Sequence, residues 1–86
     1  MARGLVEGRL AACVNVAPSI VSHYRWKGRL RRDEESLLIV KTSAARLPAL
    51  LRWIAGKHPY AVPETIVLPV VTGSKPYLEW LAGELK

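Results

Sequence analysis

HPYAVPE, residues 58–64, is the stretch whose reading decides the fold. Pro59 and Pro63 fix their own φ and push the preceding residues, His58 and Val62, toward extended geometry. The segment is therefore not helical. It follows a helical apolar stripe of Leu47, Leu50, Leu51 and Ile54, and it precedes the apolar run TIVLPVV, residues 65–71. It reads as a rigid helix-to-strand connector that holds an imidazole and a carboxylate, His58 and Glu64, in a nearly fixed relation. Such connectors often carry function, and others are plain structural corners. The seven residues alone leave both readings open.

Upstream, LLIV at residues 37–40 is a continuous apolar run closing on Lys41-Thr42, the pattern of a central strand covered on both faces. Ser43 is placed to cap the following helix, Pro48 is tolerated in its first turn, and Gly56 would end it before Lys57. From Ile20 the pattern alternates. Ser22, Tyr24, Trp26 and Leu30 fall on one face, and His23, Arg25, Lys27, Arg29 and Arg31 on the other. Lys27-Gly28 or Arg32-Asp33 could tip a hairpin. Residues 13–16 read as a strand, broken or bulged at Ala17-Pro18. Leu5, Val6, Arg9, Leu10 and Ala12 follow helical spacing without a proper cap.

Downstream, Pro69 argues that residues 65–71 form an edge strand, a bulge or a strand end. Gly73-Ser74 is a turn, and Ser74 can cap a last helix with Tyr77, Leu78, Leu81 and Leu85 inward. The order is helix, strand, strand, helix, strand, helix. That is the split β-α-β pattern of α+β, ferredoxin-like folds, with a long hairpin and with the first strand missing. By its own logic the chain is expected to be N-terminally incomplete.

Eighty-six residues make one expected domain, 1–86. A chain of this size buries only about 60–65% of its unfolded surface, so its margin is thin and oligomerisation is a standard remedy. Half the residues are hydrophobic, which points to buried subunit surfaces. A net charge of +6 permits anion or nucleic-acid contacts without requiring them. The single cysteine, Cys13, excludes an intrachain disulfide and fits a reducing compartment. No apolar run approaches the roughly 18 residues of a membrane span. In MARGLVEGRLAAC, the residues Arg3, Glu7 and Arg9 interrupt any signal-peptide core. The expectation is a soluble, cytoplasmic protein with no membrane partner.

Chemistry is sparse. Cys13, His23 and His58 are the only soft metal ligands, and no CxxC, HxxxH or HExxH spacing joins them. A metal site would have to be assembled by folding or between subunits. Cys13 reads by default as a small buried residue, His58 as a hydrogen-bonding corner and His23 as exposed. The serines lack a nucleophile-elbow context, and Asp33, Glu34 and Glu35 read as a solvated cluster near a hairpin end. With no P-loop or GxGxxG either, no enzyme is expected. An RNA-binding module of ferredoxin-like topology would stack bases on sheet aromatics. Here phenylalanine is absent, and Tyr24 and Trp26 are expected opposite the basic side chains, a layout that argues against nucleic acid.

Five segments taken in order are more specific. They are LAACVN (residues 10–15), YRWKG (24–28), VKT (40–42), HPYAVPE (58–64) and YLEWL (77–81). Together they resemble the CutA family of divalent-cation tolerance proteins over nearly the whole chain. The resemblance implies a ferredoxin-like subunit in a tight homotrimer, its long hairpin joining sheets between neighbours. It implies a role in tolerance to copper and other divalent metals, metal binding, and no turnover. Similar trimers occur among PII-like signalling proteins, which bind small ligands in inter-subunit clefts, so a small anionic ligand held by Lys41 and arginines is the alternative. By position, Cys13, Tyr24, Trp26, Gly28, Lys41, His58, Tyr60, Pro63 and Glu64 match family motif residues. His58, Glu64 and Cys13 would be the metal donors, a set compatible with copper or zinc. Otherwise Lys41, His58, Tyr60 and Glu64 form a polar network that fixes a subunit corner. Two departures stand out. Lys57 replaces a second histidine of some members, and members begin with a central strand. Its absence is expected to open a gap between two strands, with unpaired backbone groups costing about 1–3 kcal/mol each.

Overall fold

The structure, a computed structural model, describes residues 1–57 and 64–86. Alternating side chains from Cys13 onward build one long antiparallel hairpin, β1 (Cys13–Trp26) and β2 (Arg29–Lys41). Its tip is Lys27-Gly28, with φ of 49° and 77°. Two consecutive positive φ values are what a type I′ turn needs, and Gly28 supplies the second without a Cβ penalty. The register runs from Trp26 opposite Arg29 to Cys13 opposite Lys41. It slips once, between Ala17 and Ile20, where Pro18 and Ser19 face only Ser36. Pro18 cannot donate to the ladder and Ser19 has φ 59°, so the expected bulge forms there.

The tip corrects the expected faces. Directly opposed residues of an antiparallel pair share a face. Tyr24 opposes Arg31 and Trp26 opposes Arg29. Arg29 and Arg31 therefore stand with the aromatics, while Leu30 stands with His23 and Arg25. A two-residue loop swaps the parity of the numbering between strands, which simple alternation through the turn does not register. Asp33 and Glu35 also lie mid-strand on the aromatic face, not at a hairpin end.

Three helices complete the chain: α1 (Ala2–Glu7), α2 (Leu47–Lys57) and α3 (Lys75–Glu84). Helix α1 has no side-chain cap and stops at Gly8, earlier than the apolar spacing suggested. Ser43 does not cap α2. Its carbonyl accepts from Arg46 N (3.1 Å) and opens a turn before the helix. Helix α2 runs through Gly56 to Lys57, the residue before the proline-bracketed connector.

One face of the hairpin receives the helices. Leu5, Ala11, Leu50 and Ile54 form the buried core, and Val14 and Val40 of the strands pack against it with Leu10, Leu47 and Trp53. The other face is not covered: Leu37 and Ile39 are 47% and 53% exposed. The LLIV strand is thus covered on one face only, by the core that α1 and α2 contribute. Helix α3 is held at its C-terminus. Arg46 Nε donates to Leu85 O at 2.7 Å, Arg46 Nη2 reaches the same oxygen, and Arg9 Nη1 donates to Glu84 O at 3.0 Å. Cations at this end also complement the helix dipole. Leu81 and Leu85 turn inward as expected, but Tyr77 and Leu78 remain exposed.

Residues 65–71 differ most from expectation. They run extended but join no ladder, and among the described residues the sheet has only β1 and β2. Ile66, Leu68, Val70 and Val71 are all largely exposed. Between this segment and β2 lies an open slot of about 2700 Å³, lined by Leu37, Ile39 and Val40 on one side and Ile66, Leu68 and Val70 on the other. A strand placed there would pair both edges. Without one, residues 65–71 have no neighbour to bond. The radius of gyration, 14.8 Å, exceeds the roughly 12 Å of a compact chain of 86 residues.

Candidate functional site

Two motif segments meet at the base of the hairpin. Ala12 N donates to Lys41 O (2.9 Å), and Thr42 Oγ1 donates to Leu10 O (2.7 Å). These bonds stitch LAACVN to VKT, so both motifs first serve to anchor the hairpin to α1. The sequence order of the motifs did not show this pairing, and Thr42 was read only as a strand end.

Cys13 and Lys41 are directly opposed at this base. Cys13 is a half-buried free thiol, with Sγ 3.9 Å from Asn15 Oδ1. Lys41 Nζ stands 5.9 Å from the Tyr77 ring centroid, a cation–π contact that steers the ammonium toward α3. Lys41, Thr42, Glu64 and Tyr77 all line the slot, while Cys13 does not. Lys41 and Glu64 both border this large open slot, and no hydrogen bond or ion pair joins them among the described residues. His58, Tyr60 and Pro63 lie outside the described residues. Among the described residues, no group of three His, Cys, Asp or Glu converges to hold a metal ion. The described donors do not close a coordination sphere by themselves.

Tyr24 and Trp26 stand far from that base, toward the hairpin tip. Tyr24 OH donates to Asp33 Oδ2, and Ser22 Oγ donates to Glu35 Oε2 at 2.9 Å. Both bonds run diagonally across the strand pair. Asp33 and Glu35 are therefore partners of the aromatic face and not a merely solvated cluster. The hydrogen bond to Asp33, with some desolvation and the carboxylate's charge, raises the Tyr24 phenol above its ordinary value. Glu34 faces the other way, opposite Val21. His23 opposes Arg32 on the helix-side face and is exposed.

Residues 1–84 match the family model described as CutA1 divalent ion tolerance protein. The chain belongs to the CutA family. It is 52% identical over 81 residues to a Xenopus laevis protein CutA homolog, covering 94% of this chain and 54% of that relative. It spans about half the length of the vertebrate CutA proteins it matches. The solved divalent cation tolerance protein from Thermus thermophilus superposes with a TM-score of 0.89 at 49% identity, covering 93% of this chain and 78% of that one. The PII-like protein CutA from Nostoc, in its apo form, superposes at 0.92 with 36% identity, covering 99% and 81%. The architecture is thus the α+β, ferredoxin-like CutA fold. The matching family model and the Thermus thermophilus relative are both described by divalent-ion tolerance. No described helix is long and apolar enough to cross a membrane.

Proposed function

We propose that this chain acts in divalent-cation tolerance as a CutA-type homotrimer that contacts copper or a similar metal through the 58–64 connector. The family match over residues 1–84 carries the tolerance role. Exposed apolar surface on the hairpin supports the assembly. Leu37 and Ile39 on the uncovered hairpin face are the natural contact, and cyclic symmetry lets one such face serve every copy. Cytoplasmic residence fits the free thiol of Cys13.

His58 would supply the imidazole, with Glu64 and Cys13 as carboxylate and thiolate donors. The test is copper titration of His58→Ala beside the unaltered chain. Weakened copper affinity supports the ligand role. Unchanged affinity with lowered thermal stability assigns His58 to the polar corner with Tyr60 and Lys41 instead. A second reading, a PII-like sensor of small anions, draws on Lys41 lining the slot and on the Nostoc relative's description as PII-like. A thermal-shift screen of nucleotides and phosphates tests it, and no shift with any of them counts against it.

A further inference from the structure

Contacts from separate parts of the chain fix where the Lys41 ammonium stands. The Lys41 backbone is held by the bond from Ala12 N to Lys41 O at 2.9 Å, and Thr42 beside it is tied to Leu10 O at 2.7 Å. The side chain is directed by Tyr77, whose ring centroid lies 5.9 Å from Lys41 Nζ, within the roughly 6 Å reach of a cation–π contact. Tyr77 is itself held. Its ring packs against Trp80 at 5.6 Å between centroids, tilted by 37°. Arg46 and Arg9 tie the far end of α3 to the rest of the fold. All of these contacts lie within one chain, at the base of the hairpin and on α3. None requires the uncovered hairpin face to be free, so they are compatible with a neighbouring subunit there.

A ring face holds an ammonium without occupying its N–H groups. Lysine carries three donors and no acceptor, and Lys41 enters no ion pair among the described residues. A long side chain of this kind otherwise spreads over many rotamers, and ordering it on binding costs entropy. The Tyr77 ring removes part of that cost beforehand. We infer that Tyr77 is a positioning residue for anion contact by Lys41, its ring holding the ammonium at the slot with its donors left for a small phosphate-bearing ligand. The inference rests on the small-anion reading above and names the neighbour that makes Lys41 ready for it. Tyr77 and Lys41 both line the slot, so the same ring that orders the cation borders the space the anion enters.

The test is calorimetric titration of the full chain with inorganic pyrophosphate at low salt. Pyrophosphate has no base to stack on Tyr77, so any effect of the ring on its affinity passes through the cation. Lys41→Met weakens binding about tenfold or more, as loss of a charged hydrogen bond does. Tyr77→Leu weakens it about two- to fivefold, the worth of one half-exposed cation–π contact. Tyr77→Phe, which keeps the ring, restores the affinity. In the Lys41→Met background, Tyr77→Leu has no further effect, because the cation it positions is gone. Tyr77 is 41% exposed, so its replacement spares the core, and circular dichroism and light scattering check fold and assembly in each variant. Absence of pyrophosphate binding, or equal affinity in Lys41→Met, overturns the small-anion reading and this inference with it. A loss in Lys41→Met with unchanged affinity in Tyr77→Leu overturns this inference alone. A Tyr77→Leu loss that persists in full without Lys41 makes the ring a structural group and also overturns it.

Discussion

Replacing Leu5 by alanine strikes the centre of a small core. Leu5 is fully buried and packs with Ala11, Leu50 and Ile54. The change removes three carbons, worth about 2.4 kcal/mol of transfer at roughly 0.8 per methylene. A cavity term adds to this, but Leu5 also borders the open slot, where water and neighbouring chains can collapse into the space. The total is therefore about 2.5–3 kcal/mol, near the low end for leucine-to-alanine changes. With a urea slope of about 1.3 kcal/mol per molar, suited to so short a chain, the unfolding midpoint falls by about 2 M. The thermal midpoint falls by about 10–20 °C. Both are to be measured at one protein concentration, since assembly contributes to stability. Val6→Ala on the exposed side of the same helix is the control and costs less than about 0.5 kcal/mol. A Leu5→Ala cost below about 1 kcal/mol, or one no larger than the control's, refutes the assignment of the core to this cluster.

Gly28→Val forces a β-branched side chain into φ 77° at the turn, where no neighbouring atom lies within 4 Å of the new Cβ. The cost is backbone strain alone, about 1–2 kcal/mol, read as a lowered urea midpoint; an unchanged midpoint contradicts the type I′ tip. Arg46→Ala removes the bonds to Leu85 O and costs about 2 kcal/mol. Amide exchange should quicken in α3 before the hairpin, and uniform quickening would show that Arg46 does not hold α3. Because the Tyr24 phenol is raised in the fold, its stabilising bond to Asp33 is fully present below the ordinary tyrosine value near 10. That contribution is lost as pH rises through the raised value. Tyrosinate absorbance should show a late phase that Tyr24→Phe removes, and its persistence in the variant would refute the contact.

Much of the fold is legible in local pattern. Alternation marks the hairpin, Lys27-Gly28 is one of the two tips it offers, with Arg32-Asp33 the one not used, and Pro18 marks the bulge. Each is a local backbone constraint, and local constraints survive into the fold. The helix ends at Ser43, Gly56 and Gly8 were misread locally, while the larger misreadings are nonlocal or depend on parity. Arg29 and Arg31 moved to the aromatic face because the loop length, not the alternation, sets which residues oppose. Residues 65–71 have strand composition yet form no strand, since pairing needs an edge that no sequence neighbour supplies. The apolar run at 37–40 promised cover on both faces, but composition does not say whether the second cover comes from the same chain. For the site, the expected network of Lys41, His58, Tyr60 and Glu64 falls partly outside the described residues. The Thr42–Leu10 and Arg46–Leu85 bonds were not legible, because each joins residues more than thirty positions apart.

The account rests on a CutA-type trimer that buries the uncovered hairpin face. Light scattering coupled to size-exclusion chromatography tests it most directly. A mass three times the 9.5 kDa of one chain is the predicted result. A mass of 9.5 kDa across the working concentration range would contradict it.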